Sequence, residues 1–388
     1  MAAKGTPCFL AAPTGRAAKV ISGKTGRNAK TIHSLIYTTE SGSNGVNIRL
    51  TRKLNLSQKL SVFIIDEASM ISDRLGGDEK FIATKSLLAD LIEFVKEGNP
   101  GNKIIFIGDR FQLPPVNRNF SAALDPQHIS DHYKLKVIMM ELKEVMRQNS
   151  DSYILSNAIQ LRNSMEQQSV FPGLQLPKLY NISDALSTFS KLHKKDQHND
   201  VAFIAFTNKD VNWFNSAYRS RKFKQPQILM KDDAVVLNQS WSGEGKLLLK
   251  GEPAFITSVN QYSMEKVAGL TFMDVELAVQ DENGESSFIH SKALLEVLTS
   301  EKGELVYETE QALYHDRIAK NKKFRETLRN SDDPYLGALR LRYGYALTCH
   351  KAQGGEWDNI ILHPWFKKDD YRWQYTAITK GRKKVYSY

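Results

Sequence analysis

Two apolar segments of this chain each run into polar residues that suit phosphate chemistry. Val62–Ile65 is followed by Asp66 and Glu67, and Ile104–Gly108 is followed by a loop that carries Gln112. Short apolar runs with polar residues only at one end are typical of buried strands, and open α/β sheets bind ligands at the carboxyl ends of their strands. A carboxylate pair on one strand and a glutamine on the next suit a magnesium-bound nucleotide. The sequence therefore predicts a nucleotide phosphate site at these strand ends.

The two motifs differ in how specific they are. An Asp-Glu pair after an apolar run also occurs as an ordinary acidic helix cap, so Asp66 and Glu67 alone are weak evidence. The Gly108–Val116 string is much more specific, because a plain loop needs no such order of glutamine and paired prolines. Within it, Gln112 is placed to sense a γ-phosphate, and the prolines stiffen the loop that follows.

Three further segments have both a functional and a structural interpretation. Arg147 can stabilise the charge of a transferring phosphate, or it can lie on a helix surface, which its own segment favours. Thr348–Glu356 is rich in side-chain donors that suit phosphodiester contacts, and the alternative is a polar loop with a glycine turn. Tyr375–Arg382 is predicted to start a helix followed by cations, and alone it indicates only a basic C-terminal segment.

The rest of the chain supplies the elements that must position these residues. The predicted elements are a strand at 7–12, a helix through 17–21, a short helix from 31, a hairpin within 38–58, a helix over 80–97, a strand at 201–206, short β segments from 226 to 300, a charged helical run at 308–331 and a strand at 357–362. An α/β domain interrupted by a β insert explains this order. We predict an α/β fold with a first domain at 1–143, a second at 144–225 and 339–388, and the insert at 226–338.

Composition narrows the class of protein. A chain of 388 residues is too long for one small core, so two or three domains are expected. A formal charge of +10 favours a polyanionic partner such as nucleic acid. Cys8 and Cys349 are far apart, which excludes a disulfide framework and a CxxC metal site, and we expect a reducing cytoplasm. No apolar run has the length of a membrane span, so no membrane partner is expected.

The motifs occur along the chain in one characteristic order. The segments are Ala12–Lys19, Thr31–His33, Asp66–Ser69, Gly108–Val116, Glu144–Arg147, Phe206–Lys209, His350–Gly354 and Tyr375–Lys380. This order resembles superfamily 1B DNA helicases, in particular the RecD and phage Dda group, over nearly the whole chain. The resemblance implies two RecA-like P-loop NTPase domains with parallel sheets flanked by helices, a β-hairpin (pin) insert in the first and an SH3-like β insert in the second. It also implies ATP-driven 5′-to-3′ movement on single-stranded DNA and unwinding at junctions with duplex DNA.

The resemblance further implies roles for individual residues. The nucleotide-site residues are Asp66 (magnesium ligand), Glu67 (catalytic base), Gln112 (γ-phosphate sensor), Arg147 (phosphate contact of the second domain), Gly354, Glu356, Lys380 and Arg382. The DNA-binding positions are Pro13, Thr14, Arg16, His33, Pro114, Asn208, Thr348, His350 and Lys351. ATP and Mg²⁺ are the implied cofactors, replication or repair proteins are implied partners, and a monomer is expected.

Two departures from the family pattern weaken the expectation of ATP hydrolysis more than that of DNA binding. The family's Gly-rich phosphate loop is expected upstream of Ala12–Thr14, and the chain starts too late to hold it. Ser22–Thr25 is similar to such a loop, but no strand leads into it, and we expect it in the loop before Thr31. Lys380 replaces the usual arginine, which keeps the charge but loses the planar fork; Arg382 is a second candidate. The alternative function is a truncated, ATPase-deficient module that only binds single-stranded DNA.

Overall fold

The structure is a computed structural model. It describes residues 5–41, 48–75, 81–82, 84–142, 152–194, 199–224, 226, 228–244, 246–280, 286–301 and 303–388. The chain divides into two compact units, Met1–Glu144 (unit 1) and Val145–Tyr388 (unit 2). Among the described residues, no helix combines the length and the apolar character needed to cross a bilayer.

Unit 1 is built on a parallel sheet. Its elements are β1 (Cys8–Ala12), α1 (Gly15–Thr25), β2 (Ala29–Thr31), α2 (Ile32–Ile36), β3 (Tyr37–Ser41), β4 (Ile48–Arg52), β5 (Val62–Ile65), β6 (Phe81–Ile82), α3 (Leu87–Gly98), β7 (Lys103–Phe106) and α4 (Pro126–Tyr133). Four strands pair in the order β2-β1-β5-β7, and each pairing is parallel. The expected strands are therefore confirmed as β1, β5 and β7, of which β5 is mostly buried, β1 is buried at its end and β7 is half-buried.

Helix α3 begins later than its periodicity predicts. We expected a helix over 80–97, but Phe81–Ile82 is a strand that pairs with β4. The helix starts after Ser86, whose hydroxyl accepts a 3.2 Å hydrogen bond from the Ala89 N–H. A serine at the N-cap satisfies an amide that has no partner inside the helix, and this fixes where the helix begins. Leu88 and Leu91 then face the core of unit 1.

Ser22–Thr25 lies in a helix, not in a loop. These residues form the end of α1, which stops at Gly26 in the left-handed region with φ 62°. The expectation that the segment lies in the loop before Thr31 is wrong, because the helix that starts after Thr14 continues through it. Its amides are committed to the helix or its cap, so it is no phosphate-binding loop.

The predicted hairpin of unit 1 is present. β3 and β4 pair antiparallel, with Tyr37 opposite Arg52, and β6 adds to β4 in parallel. The Arg52 guanidinium lies 2.7 Å from a carboxylate oxygen of Glu97 on α3, which ties the hairpin base to this helix. The tip at 42–47 lies outside the described residues.

Unit 2 combines a second parallel sheet with a barrel. Its elements are α5 (Tyr153–Gln167), α6 (Ile182–Leu192), β8 (Val201–Ala205), α7 (Asn208–Lys222), β9 (Ala234–Leu237), β10 (Trp241–Gly243), β11 (Lys246–Leu248), β12 (Pro253–Val267), β13 (Leu270–Gln280), β14 (Ser286–Leu294), α8 (Tyr307–Lys320), α9 (Lys322–Thr327), β15 (Leu339–Tyr343), β16 (Ala346–Thr348), α10 (Cys349–Ala352), β17 (Trp357–Leu362), α11 (Tyr371–Ile378) and β18 (Gly381–Ser387). The parallel sheet has the order β16-β8-β17-β18, and the central strand β8 is buried along its length.

The β insert is a closed barrel in the order β12-β13-β14-β15-β9. It includes β15, so the barrel extends past the boundary expected at 338. The reason is that Leu339 and Leu341 are fully buried and pair with β14 and β9 respectively. The charged run after the β segments forms two helices, α8 and α9, instead of one.

A buried ion pair joins the barrel to helix α7 inside unit 2. Arg219 on α7 donates through Nε and Nη2 to the two carboxylate oxygens of Asp233, each at 2.9 Å. The Tyr345 hydroxyl donates to the same carboxylate at 2.9 Å, and the Met230 N–H donates at 2.9 Å. Asp233 is fully buried, yet each of these partners donates to it, so its charge is compensated.

The segment Tyr375–Lys380 ends a helix instead of starting one. Helix α11 begins after Asp370, whose carboxylate accepts a 2.9 Å hydrogen bond from the Trp373 N–H, and it ends at Ile378. Of the following cations, Lys380 directly precedes strand β18 and Arg382 lies within it, and β18 pairs in parallel with β17. The N-cap at Asp370 is the feature that our interpretation missed.

Candidate functional site

The parallel sheet of unit 1 collects the predicted site residues along one edge. Because the strands are parallel, the residues after β1, β2, β5 and β7 all lie at the carboxyl ends of the strands. These residues are Pro13, Thr14 and Arg16 after β1, His33 after β2, Asp66 and Glu67 after β5, and Gln112 and Pro114 after β7. We call this the unit 1 edge. Every predicted site residue of the first domain belongs to it.

The acidic pair sits on a strained turn at the unit 1 edge. The Glu67 N–H donates to the Asp66 carboxylate at 2.9 Å, and the Asp66 N–H donates to the Ala11 carbonyl oxygen at 3.0 Å. Glu67 itself has φ 50° in the left-handed region, which a residue with a side chain seldom adopts. Such strain concentrates at functional sites, where the surrounding structure holds it in place.

The loops that carry Glu67 and Gln112 are bonded to each other. The Ile107 N–H donates to the Ile65 carbonyl oxygen at 2.8 Å, and the Ala68 N–H donates to the Ile107 carbonyl oxygen at 2.8 Å. Next to this contact, a side chain at Gly108 would place its Cβ 3.1 Å from the backbone nitrogen of Ala68. The close approach explains why glycine occupies this position.

Gln112 is held on a rigid loop. The Phe111 N–H donates to the Asp109 carboxylate at 2.9 Å, and the Gln112 N–H donates to the Asp109 carbonyl oxygen at 3.2 Å. The neighbours Phe111 and Leu113 are buried and anchor the loop on either side of the half-buried Gln112. Pro114 is buried as well, so its position favours a role in the loop's rigidity.

The predicted DNA-binding residues of unit 1 have different surroundings. The Thr14 hydroxyl accepts a 3.2 Å hydrogen bond from the Ala17 N–H and caps α1. Burial lowers the pKa of the half-buried Arg16 to about 10, which leaves the guanidinium charged at neutral pH. His33 is exposed, and its ring centroid lies 5.8 Å from that of Tyr37. Thr14 thus has a structural role as the N-cap of α1, and His33 lies on the surface.

Unit 2 has a corresponding carboxyl edge. Asn208 follows β8, Thr348 is the last residue of β16, and His350 and Lys351 follow it, so the parallel sheet gathers these four predicted DNA-binding residues at one end. The Asn208 Oδ1 atom is buried and has no hydrogen-bond partner within the described part of the chain. A buried, unsatisfied oxygen is uncommon in folded proteins and marks this residue as a candidate for ligand contact.

The electrostatic surroundings of Lys351 are unusual for a lysine. Its side chain reaches solvent, but the protein crowds the ammonium group, and this desolvation together with repulsion from Arg342 and Lys250 lowers its pKa to about 8. Burial also lowers the pKa of the adjacent His350, which opposes its protonation at neutral pH. A cation held among other cations favours an anionic ligand.

The predicted nucleotide-site residues of unit 2 lie at strand starts. Gly354 and Glu356 precede β17, Lys380 precedes β18, and Arg382 is the second residue of β18. These four residues therefore lie at the amino-terminal ends of the strands, whereas Asn208, Thr348, His350 and Lys351 lie at the carboxyl ends. Gly354 has φ 74°, a left-handed conformation that favours glycine.

Lys380 and Arg382 differ in exposure. Lys380 is 5% exposed, and its charge acts on the buried Cys349 thiol, whose pKa burial raises and Lys380 partly lowers. Arg382 is exposed and pairs with Asp358 at 2.6 Å, a carboxylate that Lys383 shares at 2.7 Å. Arg382 thus takes part in an exposed ion pair, and both Lys380 and Arg382 remain candidates for the last-motif cation. Arg147 lies outside the described residues.

Trp365 is a residue that our sequence reasoning missed. It follows the carboxyl end of β17, is 56% exposed, and its ring meets the Phe206 ring edge-on with centroids 5.4 Å apart. Phe206 directly follows β8, so both rings lie at the same end of the sheet as Asn208. The signal in the sequence was a tryptophan shortly after the predicted strand at 357–362.

The unit 1 edge suits magnesium bound together with a nucleotide. Within the described residues, no group of three or more His, Cys, Asp or Glu side chains could hold a metal alone. Mg²⁺ is usually held by one or two carboxylates plus substrate phosphates and water. Asp66, half-buried at a strand end, fits that mode of binding.

Two protein families match this chain at its two ends. The AAA domain family matches residues 1–171, and the UvrD-like helicase C-terminal domain family matches residues 343–387. The chain is therefore similar to superfamily 1B helicases at both ends. The two parallel sheets, one in each unit, are consistent with two RecA-like domains.

Three curated relatives illustrate the match. The ATP-dependent DNA helicase dda of Enterobacteria phage T4 is 27% identical over 241 residues, which cover 61% of this chain and 50% of that protein. The ATP-dependent RecD2 DNA helicase of Deinococcus radiodurans is 32% identical over 113 residues, 29% of this chain and 13% of that protein. An uncharacterized protein of Methanocaldococcus jannaschii is 24% identical, covering 97% of this chain and 33% of that protein. This chain thus spans half or less of the length of each of these relatives.

Solved structures of Pif1 helicases are also similar. Bacteroides Pif1 bound to ssDNA matches 100% of this chain and 83% of that chain, with a TM-score of 0.47 and 19% identity. The Pif1 helicase from Candida albicans matches 98% of this chain and 84% of that chain, with a TM-score of 0.47 and 15% identity.

Proposed function

We propose that this protein is a superfamily 1B helicase, an ATP-dependent motor that moves 5′ to 3′ on single-stranded DNA and unwinds duplexes at junctions. The observation that carries the proposal is the unit 1 edge, where the loops of Glu67 and Gln112 are bonded through Ala68 and Ile107 at 2.8 Å. Hydrolysis of a nucleotide needs a base and a γ-phosphate contact in fixed relative positions. The family matches and the two curated DNA helicases support this choice of reaction.

Three residues of the unit 1 edge have a proposed task in hydrolysis. Asp66 would hold Mg²⁺, which supplies charge neutralisation for the phosphates when it is bound. Glu67 accepts a proton from the attacking water. Gln112 donates its side-chain amide to the γ-phosphate and so reports whether the phosphate is present. In unit 2, we propose Arg147 and Lys380 as the phosphate-contacting cations.

The carboxyl edge of unit 2 is the proposed single-strand contact. Lys351 offers a cation for a backbone phosphate, and Asn208 offers an unsatisfied side-chain amide oxygen. Trp365 offers an exposed ring for base stacking. Thr348 and His350 complete the set. We further propose a cytoplasmic monomer that works with replication or repair proteins.

Strand displacement tests this function. The full-length protein is given Mg²⁺, ATP and partial duplexes that differ only in a 5′ or a 3′ single-stranded tail. We expect unwinding of the 5′-tailed substrate, and none with the Glu67→Gln variant. Unwinding only from the 3′ tail contradicts the direction. If the protein binds single strands but neither hydrolyses ATP nor unwinds, it is the DNA-binding module considered above.

A further inference from the structure

Behind the unit 1 edge lies a second, buried contact between the same two loops. Asp73 is six residues after Glu67, and Arg118 is six residues after Gln112. The Arg118 guanidinium donates through Nη2 to the Asp73 Oδ2 atom. The side chains are only 13% and 9% exposed, so the ion pair is shielded from solvent.

The ion pair has spare hydrogen-bonding capacity. Asp73 Oδ1 and Arg118 Nε are buried and have no hydrogen-bond partner among the described residues, and the same holds for the nearby Ser121 hydroxyl. His128 Nε2 lies 3.6 Å from Asp73 Oδ2. A buried ion pair that leaves polar atoms unsatisfied adds little stability compared with apolar residues of similar volume. Stability alone therefore does not account for it.

The segments between the ion pair and the unit 1 edge are rigid. On one side, Ile71 is fully buried and the Ser72 carbonyl oxygen accepts a 3.1 Å hydrogen bond from the Leu88 N–H of α3. On the other side, the Arg118 N–H donates to the Pro115 carbonyl oxygen at 3.0 Å. A displacement of Asp73 relative to Arg118 is thus passed on to the residues at the edge.

We propose that Asp73 and Arg118 are positioning residues that hold Gln112 in register with Glu67 during nucleotide hydrolysis. This role rests on the proposed function. Asp73 and Arg118 act through Gln112 and Glu67 and do not contact the nucleotide themselves. The ion pair is one charge-assisted hydrogen bond between buried side chains, and such a bond is about twice as strong as a neutral one. Together with the backbone bond of Ala68 to Ile107, it joins the two loops at two separate points.

Steady-state ATP hydrolysis stimulated by single-stranded DNA tests the proposal in the full-length protein. Asp73→Asn keeps the shape of the side chain but removes its charge. Arg118→Lys keeps the positive charge but removes the planar guanidinium group. We expect each to lower kcat about 10- to 100-fold, as small misplacements of reacting groups do, with KM for ATP changed about threefold or less. The double variant Asp73→Asn/Arg118→Gln should be no slower than the slower single variant, because the residues act as one unit.

Glu97→Gln is the matched control. It breaks the 2.7 Å ion pair with Arg52, which lies in the same unit and away from both loops. Its kcat should equal that of the wild type, and thermal unfolding of every variant reports the folded fraction. If Asp73→Asn and Arg118→Lys, corrected for that fraction, hydrolyse ATP as fast as Glu97→Gln, the positioning role is wrong. If the wild type hydrolyses no ATP, the proposed function fails and this inference fails with it.

Discussion

The Ala68 N–H donates a 2.8 Å hydrogen bond to the carbonyl oxygen of Ile107. This one bond joins the loop of the acidic pair to the loop of Gln112, although the two residues come from different strands. Both strands are short and parallel, and Ala68 and Ile107 lie just beyond their ends. The loops hold each other, and this contact gives the unit 1 edge its geometry.

Gly108→Ala tests how closely these loops must approach. The added Cβ would lie 3.1 Å from the backbone nitrogens of Ala68 and Ser69, which cannot turn away as a side chain would. We expect a loss of about 1 to 3 kcal/mol in the free energy of unfolding, typical of overpacking, and a lower rate of ATP hydrolysis. Gly101→Ala is the control, because its Cβ meets only side-chain atoms of Asn99 and Leu60. Equal effects of both changes in chemical denaturation would contradict the prediction.

The lowered pKa of Lys351 should make single-strand binding depend on pH. Its pKa of about 8 means that the free protein loses this cation as the pH rises through 8. A phosphate binds the protonated form, so affinity should be full at pH 7 and fall between pH 7 and 9. The Lys351→Arg variant keeps its charge over this range and should show a flatter profile. Fluorescence anisotropy with a labelled oligothymidine at constant salt measures both. Superimposable profiles would show that Lys351 does not contact the strand.

Trp365 should contribute to single-strand affinity by stacking. We expect Trp365→Ala to weaken binding by about 1 to 3 kcal/mol, the usual range for one base on an aromatic ring. Trp365→Phe should retain most of the affinity, because a phenyl ring still offers a face. Phe288→Ala removes a ring that is 51% exposed on the barrel strand β14, and it should bind like the wild type. Unchanged binding of Trp365→Ala excludes the stacking role.

Asp233 should be essential for the stability of unit 2. Asp233→Asn leaves the buried Arg219 guanidinium without its counter-charge, and we expect a loss of about 3 to 5 kcal/mol in unfolding free energy. Asp358→Asn removes the partner of two exposed cations and should change it by about 1 kcal/mol or less. Urea denaturation followed by circular dichroism compares them. Similar midpoints for both variants would mean that the buried network is not what joins α7 to the barrel.

The α/β fold was predictable because its central strands are continuous apolar runs. Val201–Ala205 is buried throughout, as the sequence indicated, and the residues after such strands meet at an edge by topology alone. The first residues of the helices were harder to predict, because each start depends on a single N-cap residue. Ser86 starts α3 and Asp370 starts α11, and missing these two residues misplaced both helices.

Contacts between distant residues were beyond the reach of the sequence. Asp73 and Arg118 are 45 residues apart and belong to no motif, so only the fold brings them together. Likewise, the pairing of Arg382 with Asp358 follows from the register of β18 on β17. The nucleotide and DNA roles of the individual residues remain predictions, because they rest on a resemblance and on where the strands end.

ATP hydrolysis by the Glu67→Gln variant tests the central claim most directly. In the full-length protein with Mg²⁺ and saturating single-stranded DNA, we expect the wild type to hydrolyse ATP. Glu67→Gln should be slower by about 10²- to 10⁴-fold, since it cannot accept the proton of the attacking water. Single-strand binding should be unchanged, because glutamine has the same size as glutamate and Glu67 is not among the predicted DNA-binding residues. If Glu67→Gln hydrolyses ATP at the wild-type rate, the unit 1 edge is not the site of hydrolysis.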